Sequence, residues 1–378
     1  GPLTEVVKVD DYTVKFILSA PWPVFLAMMP HQQIVPKDYI TEKGDAYFAE
    51  HPVGAGPFQF VSGNLSEEIV MERFENYYGG SPEIQPVGKA PAKRVVFKII
   101  PEPSTRIAAL ESGDIQIIQD VPASAMEKLK GNANVVIKLT TGTRVNFFAM
   151  NVTKPPFDSV KVRQAMNYAV NMDEVVSSIL GGTGTVMSGP VIPGSYMYNA
   201  GLKPYGYDPE KAKRLLAEAG YPNGFQLVID CEEPEKEITE AIAIQLRAIG
   251  IDASTRVWDW GVLDPLLKAG ERWMLMNYWG NSTMDPYDLL NPLFITDARG
   301  NYCKYSNPRV DELLNAASTI VDQAKRKEMY DEVQTIIYND APFIFSYVND
   351  VIEAASAKIR NWEPSPDGRL NLHDVSLE

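Results

Sequence analysis

Hydrophobic residues along this chain follow helical spacing in some stretches and strand spacing in others. From Val160 to Val170, the residues Val162, Ala165, Met166, Ala169 and Val170 recur at helical spacing and give one apolar face. Asp158 or Ser159 stands where it can cap this helix, accepting from N–H groups that have no intrahelical partner. A second helix is predicted to start at Asp173 and stop at Gly181-Gly182. In a third, Asp208 is the N-cap, Pro209 takes the first helical position and Gly220 lies just past the end. Ala212, Leu215, Leu216 and Ala219 form its stripe. Stripes of this kind face a core, so Asn146 to Gly224 is packed scaffold with no catalytic look.

Strand-like segments alternate with these helices. Val6 to Leu18 alternates like a strand pair with Asp10-Asp11 at the turn, and a short helix is predicted around Val24 to Met29. His51 to Phe58 is rich in Pro and Gly and is expected to be a crossover or hinge. Strands are predicted at Arg94 to Ile100, Ile115 to Ile118, Asn134 to Leu139 and Arg144 to Met150, with a helix capped by Ser104 and ending at Gly113. Further on, Phe225 to Ile229, Trp273 to Tyr278 and Phe343 to Val348 read as strands. Ile238, Ile242, Leu246 and Ile249 line a helix stopped by Gly250, and Val310 to Val321 and Lys325 to Tyr338 are amphipathic helices. This alternation argues for α/β layers.

Composition narrows the class. A chain of 378 residues is long for one core, so two lobes or more are expected. The net charge of -14 disfavours nucleic acid and anionic membrane surfaces as partners. No apolar run is long enough to span a bilayer. Cys231 and Cys303 form no Cys-x-x-Cys pair, so a disulfide and two buried thiols both remain open. His31, His51 and His373 are scattered, none in a metal-ligand spacing. There is no Gly-x-Ser-x-Gly elbow, Gly182-Thr183-Gly184 lacks the third glycine of a dinucleotide loop, and Gly88-Lys89-Ala90 lacks the Ser/Thr of a phosphate loop. So little of a catalytic constellation is met that the chain is expected not to be an enzyme and to carry no metal or cofactor.

Several motifs then stand in order. They are Pro52-Val53-Gly54-Ala55-Gly56-Pro57-Phe58, Arg106-Ile107-Ala108-Ala109-Leu110-Glu111-Ser112-Gly113-Asp114, and the block from Asn146 to Gly224. Trp279 through Asp285-Pro286, Tyr305-Ser306-Asn307-Pro308, Ala341-Pro342 and the close Leu372 to Glu378 follow. Together they resemble the extracytoplasmic solute-binding proteins of ABC importers for dipeptides, oligopeptides, nickel complexes and related solutes (family 5). The resemblance spans essentially the whole chain. It implies a two-lobed α/β fold of the type II periplasmic-binding-protein kind, closing like a jaw on a solute. Residues 53–141 plus 350–378 would form the first lobe, and 142–349 the second. Residues 1–52 would be a remnant of an extra domain and its return strand, most of that domain being missing because family members begin well before the segment resembling Leu3 to Leu18. The implied partners are a small-molecule solute and ABC permease subunits. A monomer is expected, periplasmic or extracellular, and membrane-anchored if a preceding N-terminus carries a lipobox.

The resemblance also directs attention to the solute. In peptide-binding members an aspartate a few residues after the strand matching Trp273 to Tyr278 pairs with the peptide amino group. Counted back from Asp285-Pro286, its place falls on Ser282, which cannot supply that charge. Dipeptide binders place an arginine in the loop after the strand matching Phe225 to Ile229, whereas Asp230 to Glu237 is short, acidic and without arginine. Both departures point to a ligand with hydroxyls or a positive charge: an oligosaccharide, an opine-like conjugate or a modified peptide. Tyr278, Trp279, Trp258 and Trp260 are the candidate stacking residues, though Trp258 and Trp260 read equally as core. Gly280, Asn281, Ser282 and Asn146 are candidates for holding hydroxyls, and Arg144 is the candidate cation. Glu232 and Glu233 read as a solvated loop, and Asp285-Pro286 as a structural turn. The competing functions are an ordinary oligopeptide-binding protein and a ligand sensor for a chemoreceptor.

Overall fold

A computed structural model describes residues 1–378, and the chain divides into two compact units. One holds Gly1–Met29 and Thr143–Asn349; the other holds Pro30–Gly142 and Asp350–Glu378.

The first unit is built on a mixed sheet. Its strand order is Asp252–Val257, Gln226–Cys231, Met274–Gly280, the part of Val135–Met150 from Thr143 on and the part of Phe343–Ser356 up to Asn349, with Gly184–Val186 pairing the last. The first three strands are parallel, and Met274–Gly280 runs antiparallel to Val135–Met150. Side chains alternate along each strand. Phe148, Met150, Met274, Met276 and Ile229 therefore enter one core, and Val145, Phe147 and Ala149 the other. Helices Val160–Tyr168, Met172–Ser178, Pro209–Glu218 and Lys236–Arg247 cover the first face through Val162, Val175, Leu216 and Ile242. Pro286–Phe294, Pro308–Ala317 and Gln323–Asp340 cover the second through Leu290, Leu314 and Val333. Each fully buried Phe or Met in these layers contributes roughly 1.5–3 kcal/mol. Leu3–Lys8 and Val14–Leu18 form a separate antiparallel pair.

The second unit carries a three-stranded antiparallel sheet, Phe58–Gly63, Glu68–Arg73 and Arg94–Lys98. Ile107 and Leu110 of helix Pro103–Ser112 pack with Leu129, Ile352 and Ala354. Ile117–Ile118 pairs with Ala354 and Ala355.

Element ends show where side-chain chemistry departs from simple rules. Asp208 accepts from Lys211 N at 2.8 Å and Gly220 takes φ +91°, as the third helix of the sequence block requires. Ser159 is the N-cap residue of Val160–Tyr168, yet neither its side chain nor that of Asp158 makes a cap bond. The preceding loop is held instead by the buried Arg163, which donates to Phe157 O and Asp340 O at 2.7 Å each. The next helix starts at Met172, capped by Asn171, which accepts from Glu174 N at 3.2 Å. Ser104 caps nothing; Glu102 is the N-cap and Pro103 opens the helix. The predicted strands at Asn134 to Leu139 and Arg144 to Met150 are one strand, Val135–Met150. The threonines between them favour extended backbone but give no apolar period. Helices Trp260–Lys268 and Pro286–Phe294 each contain a proline, Pro265 and Pro292, which hid them in the sequence. Cys231 and Cys303 are both free and buried.

Candidate functional site

Parity along two neighbouring strands decides which candidate residues meet. Tyr278 pairs with Asn146, and Gly280 with Arg144. Directly opposed residues point to the same face, so Arg144, Asn146 and Tyr278 share one. The Arg144 guanidinium lies over the Tyr278 ring, 4.2 Å from its centroid. Such a contact is worth about 0.5–1 kcal/mol at an exposed site, and it fixes where the charge sits. Asn146 is buried, and its amide donates to Asn349 Oδ1 and at 3.4 Å to Tyr347 O.

A carboxylate joins this group from the next element. Strand Gln226–Cys231 leads through the turn Glu233–Glu235 into helix Lys236–Arg247. Glu235 is half-buried there. Burial and the neighbouring Glu232 push its carboxyl above the ordinary value, against the opposing charge of Arg144. Burial and then the charge of Glu235 push the Tyr347 hydroxyl up as well. Glu235 is thus within electrostatic reach of Glu232, Arg144 and Tyr347. Sequence reasoning singled out Glu232 and Glu233 and passed over Glu235, although its placement just before an amphipathic helix was the available signal. Asn349, which ends an apolar strand segment, was also missed.

The remaining candidates lie on the other side of the strand pair or beyond its end. The Trp279 indole donates to Asp288 O at 3.0 Å, and its ring packs among the apolar residues of the second face. A Cβ on Gly300 would come within 2.6 Å of that ring. Trp258 and Trp260 pack against a small cluster of Leu263, Leu267 and Leu275. Trp258 donates to the buried Asp230 at 2.7 Å, and Trp260 meets Tyr302 edge to face. Asn281 is fully buried; its backbone N donates to Thr143 O at 2.9 Å, while its side-chain amide has no protein partner. Ser282 is exposed and donates to Asp288 Oδ2 at 3.3 Å. A carboxylate therefore does stand beside the serine, displaced to the first turn of helix Pro286–Phe294.

Asp285 does structural work at that turn. It caps the helix by accepting from Tyr287 N at 2.9 Å and binds the buried Arg326 through two bonds of 2.9 and 3.0 Å. Segment 281–288 is thereby anchored to helix Gln323–Asp340. All three histidines, His31, His51 and His373, fall in the second unit. No set of His, Cys, Asp and Glu side chains gathers to hold a metal ion. No helix is long and apolar enough to cross a membrane.

Polar, aromatic and charged groups thus gather at the ends of sheet strands as a candidate surface for a solute. The comparisons with known proteins agree. The chain belongs to the bacterial extracellular solute-binding proteins, family 5, whose model matches residues 1–301. Heme-binding protein A of Haemophilus influenzae is 32% identical over 393 residues, covering all of this chain and 70% of that protein. The dipeptide-binding protein of Escherichia coli K12 is 30% identical over 392 residues, covering all of this chain and 72% of that protein. Among solved structures, the periplasmic binding protein DppA of Helicobacter pylori with the peptide STSA is 30% identical, with a TM-score of 0.81 over all of this chain and 74% of that one. The fold is that of periplasmic binding proteins, and the chain is a substrate-binding component of an ABC importer. Family 5 binding proteins are periplasmic, deliver small ligands to permease subunits, and are a family of binding proteins, not of enzymes.

Proposed function

We propose that this chain captures a solute carrying hydroxyls or a cationic group, such as an oligosaccharide, an opine-like conjugate or a modified peptide, and not a plain dipeptide. The observation that carries this is the half-buried Glu235 beside Glu232, close to Arg144. A zwitterion's carboxylate would meet two carboxylates and a guanidinium already placed over Tyr278. A cationic group, or hydroxyls that donate, would satisfy Glu235 instead. Tyr278 offers a ring for stacking, and Asn146 and Asn349 offer amides. Relatives of nearly equal identity are named for heme and for dipeptide, so family membership leaves the ligand open. The protein acts as a monomer that hands its solute to the permease.

Native mass spectrometry of protein purified without added ligand, followed by a thermal-shift panel, tests the ligand class. Sugars, opines or cationic peptides are expected to raise the melting temperature, since a ligand at 100 times its Kd adds about 2.7 kcal/mol. Stabilisation by neutral dipeptides alone would overturn the assignment. The displaced Asp288 beside Ser282 supports a second reading, an ordinary oligopeptide binder in which that carboxylate takes the peptide amino group. In that case peptides are expected to stabilise the protein and Asp288→Asn to abolish the effect.

A further inference from the structure

The first unit carries a cavity of about 740 Å³ remote in sequence from the Glu235 turn, walled by three loops. Lys154, Lys268, Arg299 and Lys304 all line it, and Asp297 is the one carboxylate that does. This is unusual in a chain with 49 acidic and 35 basic residues. The Lys268 ammonium is already neutralised by Asp264 at 2.7 Å. The other cations are satisfied without a carboxylate. Lys154 lies 4.3 Å from the Trp273 ring centroid and Arg299 4.9 Å from that of Trp279. Lys304 donates to Lys268 O at 2.7 Å.

The walls are held in place by two buried asparagines. Asn301 donates to Ile295 O and Tyr305 O at 3.0 and 2.7 Å and accepts from Tyr305 N at 2.9 Å, fixing the loop that presents Arg299 and Lys304. Asn151 donates to Gly270 O and Arg272 O at 3.2 and 3.0 Å and accepts from Thr153, fixing the loops that present Lys154 and Lys268. Cations held apart by a fixed frame, with a surplus of positive charge and room for a small molecule, meet the requirements for anion binding. A loop backbone fixed in this way loses less entropy on binding than a mobile one.

We propose that this cavity is a second ligand site, one that takes a small anion bearing phosphate or several carboxylates. Lys154, Arg299 and Lys304 supply the charge. The site does not depend on which solute the Glu235 surface takes.

Isothermal titration with inorganic pyrophosphate and with citrate, at low salt and at 0.15 M, tests it. The wild type is expected to bind one anion per chain. Lys154→Gln and Lys304→Gln should each weaken binding roughly tenfold, the size of a charge-assisted hydrogen bond. Arg309→Gln, an exposed cation outside the cavity, should leave the affinity unchanged. Circular dichroism melts check that each variant folds, and Lys154→Glu serves if Lys304→Gln does not. A preference for pyrophosphate over citrate would identify phosphate as the group recognised, and the reverse carboxylate. Absence of binding by either anion at low salt overturns the proposal, as does equal weakening by Arg309→Gln.

Discussion

Asp285→Ala is expected to be among the most damaging single substitutions in the first unit. Arg326 is 1% exposed and Asp285 6%, so both charges are out of water. Two hydrogen bonds of 2.9 and 3.0 Å join them. Once Asp285 is gone, Arg326 keeps Ala317 O at 3.0 Å and the Tyr330 hydroxyl at 3.4 Å, neither of which carries charge. Breaking a buried pair from one side costs about 3–5 kcal/mol. Losing the helix cap at Tyr287 N adds about 1 kcal/mol. Urea unfolding followed by tryptophan fluorescence is the assay. With a slope of about 3 kcal/mol/M, the transition that reports the first unit should fall by roughly 1–2 M. The paired replacement Asp285→Leu with Arg326→Met removes both charges together. It should recover most of the loss, because apolar residues in place of a buried ion pair are often neutral. A single-mutant loss below about 1 kcal/mol, or a double mutant as damaged as the single, would refute the claim that desolvated charge governs this anchor.

Three further outcomes follow from the same geometry. Trp279→Ala should cost about 3 kcal/mol of stability, because the indole fills space beside Gly300 and holds Asp288 O; an unchanged melting temperature would place the ring outside the core. The Glu235 carboxyl is raised above its reference value of 4.5, so between that value and the raised one the folded chain binds more protons than the unfolded chain. Stability should therefore fall as pH rises through that window, and Glu235→Gln should remove this component from the pH–stability curve. Iodoacetamide should label neither cysteine in the folded protein and both after denaturation, since each is buried and burial pushes the Cys303 thiol up to about 12.

How much was legible in the sequence depended on which force sets each feature. Asp208, Pro209 and Gly220 mark a helix whose ends are fixed by local chemistry, and the structure places the ends there. The helix from Pro103 to Ser112 closes at Gly113 as expected and only its cap is misplaced, whereas Pro292 inside Pro286–Phe294 hid that helix from local rules. The site behaved in the same way. Tyr278, Asn146 and Arg144 were nominated by position, but only the antiparallel register shows that they share a face while Trp279 points away. Ser282 was legible as a missing charge; the carboxylate beside it, Asp288, comes from the next helix turn, which residue counting along one strand does not reach. Glu235 stood in an acidic run, and its half-buried setting is a tertiary property.

The most direct test of the binding surface is the melting-temperature shift produced by the co-purified solute in the wild type, Tyr278→Ala and Glu235→Gln. Both side chains are partly exposed, so the unliganded variants should melt near the wild type while losing most of the ligand-induced shift. A full shift retained in both variants would contradict the assignment of the solute to the Arg144, Tyr278 and Glu235 surface.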